Sequence, residues 1–338
     1  MTENVIFAPA TGPLTIALLV LPQASILEVA SALDPLRNAN RQLGDEAFRW
    51  RVVSPDGGPV PLTCGISLPA TGRLSDAAGA DALIVIAGYR LAEVATRPLI
   101  RDLRQIAPRF ALVGGIDAGP WVMARAGMLD GHKATVHWED LEDLAAAHPD
   151  IDVVPDRYVI DRNRATIGGA AAASDFMLHL IRARHGAALA RQVAASFLTR
   201  ARPGHEPQVA PPGPDPVLDA RVAAALARME ARIDQPERAA ATARAVGLSP
   251  RRLESLFREA IGTTPAAHAL GLRLAAARRM LTDTRHPLAE VALRTGFSSP
   301  ATLSRAFRSR FGHAPGALRR GAFSPLPLHS APALPARR

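Results

Sequence analysis

Over the first two hundred residues, short apolar runs alternate with stretches of helical period. The runs at residues 14–21, 82–87 and 110–114 are almost wholly apolar and too short for helices, which predicts buried strands. Residues 48–54 read as a further strand, and residues 157–160 and 165–167 as two late ones. Residues 25–41, 98–107, 119–126, 139–147 and 170–184 carry helical patterns. Strands that are apolar at nearly every position and alternate with helices imply a parallel sheet covered on both faces, an α/β fold. From residue 217 onward the pattern is helical throughout.

The two patterns are separated by residues 200–216, where six prolines occur among almost no large apolar side chains. Proline removes amide donors and fixes φ, so this stretch is expected to be a linker. Residues 321–338 hold four prolines and no periodicity, which predicts a disordered tail, and residues 1–13 are expected to be flexible as well. The expected division is therefore 14–199 for one domain and 217–320 for a second.

Composition agrees with two packed domains: 338 residues, 48% of them apolar. No apolar run approaches the roughly 20 residues of a bilayer span, and no basic patch followed by an apolar stretch opens the chain. A cytoplasmic protein with no membrane partner is expected. Cys64 is the single cysteine, which excludes an intramolecular disulfide and a cysteine-based zinc site; no metal or cofactor is expected. Cys64 itself is expected to be a small buried apolar residue. Charge adds an asymmetry. Residues 215–320 contain 18 arginines against nine acidic residues, whereas residues 1–214 hold 20 basic against 22 acidic. A basic third beside a near-neutral remainder suggests a polyanion-binding module joined to something with another task.

The basic third repeats itself. Ala243–Ser249 aligns with Ala292–Ser298 at an offset of 49, and Leu253, Phe257, Gly262 and Pro265 align with Leu303, Phe307, Gly312 and Pro315 at 50. Each copy reads as a short helix, a glycine turn and a longer helix opened by a serine cap, the helix-turn-helix arrangement. A linking helix is expected over residues 266–281. One face of each longer helix is apolar; the other carries Arg251, Arg252, Ser255 and Arg258, or Thr302, Arg305 and Arg308. Arginine clamps phosphates and grips guanine edges bidentately, so these faces suit double-stranded DNA. The stretches GLSPRRLESLFREAIGTTP, LRLAAARRML and EVALRTGFSSPATLSRAFRSRFGHAPGALRR resemble the DNA-binding domain of AraC/XylS-type transcription regulators along its full length. By position, the resemblance implies base-reading roles for Arg251, Glu254, Ser255, Ala301, Thr302 and Arg305, with Arg252 and Arg308 on the same faces. The first copy departs from the pattern at Ala239 and Thr242, where larger aliphatic residues are usual.

In the first domain, a strand at Phe110-Ala-Leu-Val-Gly-Gly-Ile-Asp117 runs through a small-residue turn into a helix at Gly119-Pro120-Trp121. Such a turn presents one side chain beside the amides of a helix start. With Gly127-Met-Leu-Asp-Gly-His-Lys-Ala-Thr-Val-His137-Trp138, it resembles the nucleophile elbow of the DJ-1/PfpI superfamily, a flavodoxin-like sandwich related to class I glutamine amidotransferases. The likeness covers residues 14–185. Enzymes of that superfamily carry cysteine at the elbow; here the position is Asp117. A carboxylate is a weak nucleophile, so cysteine chemistry is not expected and the chain is read as a non-enzyme. Asp117 has three readings: recognition of a cationic group, a structural bond to the turn, or a carboxylate nucleophile. His137, Trp121 and Trp138 are candidate neighbours of a ligand, the tryptophans through cation–π attraction, and all three can equally be structural. Glu28 and Asp34, in the first helix, are weaker candidates, with exposed helix charge as the alternative.

The two resemblances together imply an AraC-family regulator whose partners are double-stranded DNA and a small-molecule effector. Similar regulators with Asp at the elbow respond to amino acids or quaternary ammonium compounds. A homodimer is the further expectation, and regulators of this kind act beside RNA polymerase. The alternatives are a DJ-1/PfpI-class enzyme acting on amides or aldehydes, fused to a DNA-binding domain, and an effector-free nucleoid protein.

Overall fold

The computed structural model describes residues 4–208, 219–284 and 286–319. It divides into two compact units, Met1–Val209 and Ala210–Arg338. The expected tail at residues 321–338 lies outside the described residues, as do residues 209–216 of the expected linker. Among the described residues, no helix is long and apolar enough to cross a membrane.

The first unit is a seven-stranded sheet. Its strands are β1 (Leu14–Val20), β2 (Phe48–Ser54), β3 (Gly72–Arg73), β4 (Ala82–Ala87), β5 (Leu112–Asp117), β6 (Tyr158–Asp161) and β7 (Arg164–Ile167). Across the sheet they run β6-β7-β5-β4-β1-β2-β3, parallel except for the β6–β7 hairpin at one edge. Leu18 of β1 sits beside Ile84 of β4, and Ile84 beside Gly114 of β5. Side chains alternate between faces along a strand, and here both faces are covered. Ile16, Leu18, Val20, Ile84 and Ile86 pack with helices α1 (Ile26–Leu43) and α5 (Ala170–Ser196). Ala17, Leu19, Leu83, Val85 and Val113 pack with α2 (Arg97–Ile106), α3 (Gly119–Arg125) and α4 (Leu141–Ala147). That double burial is why the runs are apolar at nearly every position. Helix α5 breaks at Gly186, where φ is 87° and ψ 165°.

Two stretches expected to be loose are fastened to this unit. Ile6 is buried, Asn4 donates to the Ala111 carbonyl at 2.9 Å, and Arg184 donates to the carbonyls of Ile6 and Gly12, each at 3.1 Å. Residues 200–208, assigned to the linker from their prolines, form a strap along the free edge of β6. The Arg157 amide donates to the carbonyls of Gly204 at 2.8 Å and Glu206 at 2.9 Å. The strap meets the Arg157 amide with carbonyls, and the amide it donates here is that of Gln208, to the Pro155 carbonyl at 3.2 Å, so Pro203 and Pro207 cost the pairing nothing.

The second unit is helical: α6 (Ala220–Glu230), α7 (Ala239–Ala245), α8 (Pro250–Ile261), α9 (Pro265–Asp283), α10 (Leu288–Arg294), α11 (Pro300–Phe311) and a short α12 (Pro315–Arg319). It has two cores. Val222, Ala225, Ala243, Leu253 and Phe257 form the first, and Leu274, Ala277, Val291, Leu303 and Phe307 the second. The α7–α8 and α10–α11 pairs are the two helix-turn-helix motifs, joined by α9.

Candidate functional site: an acidic cluster and a paired-helix face

Strand β5 ends at Asp117, beside Ala87 at the end of β4. Asp117 has φ 60°, a left-handed conformation unfavourable for a residue with a Cβ, worth about 1–3 kcal/mol of strain. The turn is held from both sides. The Ala118 amide donates to the Ala87 carbonyl at 2.9 Å, and the His137 amide to the Asp117 carbonyl at 3.3 Å. A side chain at Gly119 would collide with the Val85 carbonyl, which is why only glycine serves where α3 starts against β4.

The Asp117 carboxyl meets Glu28 of α1. Ser25 caps α1, and Glu28 completes the capping box by accepting from the Ser25 amide at 3.2 Å. Glu28 is only 6% exposed and is hydrogen-bonded to Asp117. Burial, with the Asp117 charge adding to it, pushes the Glu28 pKa up to about 9. Glu28 therefore keeps its proton at neutral pH, and its O–H donates a hydrogen bond to the Asp117 carboxylate. Burial also raises the Asp117 pKa, while the nearby His137 and the Glu28 hydrogen bond oppose the rise. A third carboxyl, Asp140, is pushed up to about 6, chiefly by burial; His137 opposes this and Asp117 adds to it. His137 is near enough to Asp117 and Asp140 to pull both pKa values down, and its Nδ1 accepts from the Glu139 amide at 3.5 Å.

Glu28, Asp117 and His137 thus come together, and Asp140 joins them. Asp140 was not among the candidates read from the sequence; the signal for it is its place three residues after His137. Trp138 follows at the rim, 46% exposed, its ring 5.8 Å from that of His137. Trp121 packs elsewhere, its ring 5.8 Å from His148 and Arg125 5.8 Å from its centroid. Asp34 stands apart too, exposed and paired with Arg37 at 2.8 Å. Cys64 is exposed, not buried as expected, because it sits in the turn of a short hairpin (Val60–Pro61 with Ser67–Leu68). The cluster offers carboxyl groups and an imidazole, a set suited to a cation. Among the described residues, no cluster of three or more His, Cys, Asp or Glu could hold a metal.

In the second unit the two motifs share their details. Gly247 and Gly296 turn the chain with φ of 71° and 70°. Ser249 Oγ accepts from the Arg252 amide, and Ser299 Oγ from the Thr302 amide, both at 3.2 Å. Leu253 and Phe257, like Leu303 and Phe307, are fully buried. The opposite faces leave Arg251, Arg252, Ser255 and Arg258, and Ala301, Arg305 and Arg308, exposed. Glu254 is half-buried and paired with Arg258 at 2.7 Å; the Thr302 hydroxyl lies 3.0 Å from Ser299 Oγ, inside the cap. The exposed arginines are therefore the groups best placed to reach a base edge. Arg305→Ala should cost about 1–3 kcal/mol in duplex affinity and relax base preference at one position. A binding-site selection with the variant measures this, and an unchanged base preference would show that another residue does the reading.

The sequence matches two family profiles, the DJ-1/PfpI family over residues 14–183 and a helix-turn-helix domain over residues 242–321. The HTH-type transcriptional regulator CdhR of Pseudomonas aeruginosa is 37% identical over 299 residues, 88% of this chain and 89% of that protein. A crystal structure of an AraC family transcriptional regulator from Pseudomonas putida aligns with TM-score 0.50 and 29% identity, over 55% of this chain and all of that one. A Pseudomonas putida isonitrile hydratase is 29% identical over 236 residues, 68% of this chain and 97% of the enzyme.

Proposed function

The chain belongs to the AraC-type transcriptional regulators that carry a DJ-1/PfpI domain, and from that premise we propose that its acidic cluster senses a small cationic metabolite of the amino acid or quaternary ammonium type. The regulator binds DNA through its second unit. One observation carries the proposal for the first: at the elbow, where a thiol would do chemistry, stands Asp117, with the buried carboxyl of Glu28 and the half-buried one of Asp140 beside it. A buried carboxylate is costly unless a cation or hydrogen bonds compensate it, and a ligand ammonium or guanidinium would do so. The exposed Trp138 at the rim adds an aromatic face for the same charge.

We read the unit as non-catalytic, because a carboxylate nucleophile needs an activated electrophile. The hydratase relative supports the opposing reading, which turnover of an isonitrile or amide by the purified chain would establish. Control of DNA binding requires a ligand to favour one state of the protein over another. The strap supplies a route. The Gln208 side-chain amide donates to the Val136 carbonyl at 2.7 Å, next to His137, and the DNA-binding unit follows in the sequence. A homodimer, joining two DNA-binding units, would raise affinity through effective concentration.

A thermal-shift screen against amino acids, betaines and polyamines tests the reading. A ligand at a hundred times its Kd contributes about 2.7 kcal/mol, several degrees of melting temperature in a domain of this size. At least one cationic compound should produce this shift at pH 7.5, and Asp117→Asn should abolish it. With Asp140 titrating at about 6, the affinity should fall as pH drops below that value, since a proton then competes with the cation. Absence of any cation-dependent shift, or an equal shift in Asp117→Asn, contradicts the proposal.

A further inference from the structure

The two helix-turn-helix motifs repeat in sequence, yet their turns are built differently. Gly247 and Gly296 have the same left-handed φ, 71° and 70°. A Cβ placed on Gly247 would meet nothing within 4 Å. On Gly296 it would stand 2.5 Å from Pro236 Cδ, 2.7 Å from the Ile233 carbonyl oxygen and 2.9 Å from that of Asp234. Residues 233–236 form the loop that leads from α6 into the first motif. The loop is itself tied down, because Glu237 pairs with Arg228 at 2.7 Å and with Arg232 at 3.1 Å. The second motif's turn therefore rests directly on the approach to the first.

From its other side the same turn is gripped by Arg273 of α9. Its Nε donates to the Thr295 carbonyl at 2.9 Å and its Nη2 to the Gly296 carbonyl at 2.8 Å. The guanidinium lies 4.0 Å from the centroid of the Phe297 ring. A planar fork on two successive carbonyls, stacked on the next side chain, fixes orientation in a way a lysine could not. No carboxylate partner of Arg273 occurs among the described residues, so the charge is committed to the turn. The register Ala243–Ala292 makes Gly296 the counterpart of Gly247, and among the described residues the first motif's turn has no such clamp.

We infer that Arg273 and the seat beneath Gly296 are positioning elements that lock the two recognition helices, α8 and α11, at one distance and one angular phase. In this way the protein reads the spacing between its two DNA contact segments as well as their bases. The inference rests on the second unit being the DNA-binding module. Linking helix α9 alone joins the motifs at the cores around Leu274 and Phe257; the clamp adds resistance to rotation of the second motif about that helix. DNA makes rotation matter, since each added base pair moves a segment by about 3.4 Å and turns it by about 35°.

The test uses the full chain and a duplex that the wild type selects from a random pool, alongside the same duplex with one base pair inserted between the two contacted segments. The wild type should lose about tenfold or more in affinity on insertion, the size of a lost base contact. Arg273→Met should keep most of its affinity for the parent duplex while its insertion penalty falls to about threefold or less. Gly296→Ala should show the same relaxation. Gly247→Ala carries equal φ strain without the contacts and should retain the full penalty. If Arg273→Met fails to fold, the comparison of the two glycine variants decides. A full insertion penalty in Gly296→Ala, or a relaxed one in Gly247→Ala, would overturn the inference. Failure of the wild type to select any duplex would instead overturn the reading of the unit as sequence-specific.

Discussion

Asp175→Asn should destabilise the first unit by about 3–5 kcal/mol, lowering its melting temperature by on the order of 10 °C. Asp175 and Arg157 are each 5% exposed, and their contact is a fork: Arg157 Nε and Nη2 reach the same carboxylate oxygen at 2.9 and 2.5 Å. The second oxygen accepts from the Arg202 amide at 2.9 Å. Removing the negative charge leaves a guanidinium out of water with no neutralising partner, which costs far more than an exposed pair would. Because Arg157 also holds the strap through its own amide, the variant should expose residues 200–208 to proteases at temperatures where the sheet is intact. Calorimetry and limited proteolysis check the two halves of this prediction. A stability change below about 1 kcal/mol would mean that the pair is hydrated and the strap is held by its backbone alone.

Phe307→Ala should abolish DNA binding through the fold, with no loss of a DNA contact. Phe307 is 0% exposed, its ring 4.5 Å from Phe311 and 5.8 Å from His313, in the core that joins α9, α10 and α11. Truncating a buried phenylalanine costs about 3–5 kcal/mol, a large share of what so small a core supplies. Since the chain forms two compact units, the first unit should melt as in the wild type. Two thermal transitions, one unchanged and one lost or strongly lowered, are the expected record. A single shifted transition would mean that the units unfold together.

Much of this architecture was legible in the residues, for identifiable reasons. The strands announced themselves because both faces of the sheet are covered, and the elbow because a tight strand-to-helix reversal needs small residues around Asp117. The repeat was visible because each motif needs the same turn glycine, serine cap and phenylalanine. Other features depend on contacts that no local pattern carries. An acid at the third position of a helix is an ordinary capping residue, so the burial of Glu28 appears only when β5 brings Asp117 against it. Asp140 looks like any acidic helix start until His137 and Asp117 surround it. Prolines marked residues 200–208 as a linker, although a strap that offers carbonyls to an edge strand tolerates them well. Cysteine is usually buried, but Cys64 falls in a hairpin turn, where type and position disagree. The clamp of Arg273 on the Gly296 turn joins elements about twenty residues apart that share no repeat partner.

The acidic cluster and the paired helices become one device only if a ligand at the first changes the second. The most direct measurement is fluorescence anisotropy of the full chain on its selected duplex at pH 7.5, with and without a cationic compound that raises the melting temperature. Duplex affinity should change by about five- to 150-fold in the wild type, the usual range of coupling between sites, and remain constant in Asp117→Asn. A compound that binds the wild type at Asp117 yet leaves its duplex affinity unaltered would contradict the account.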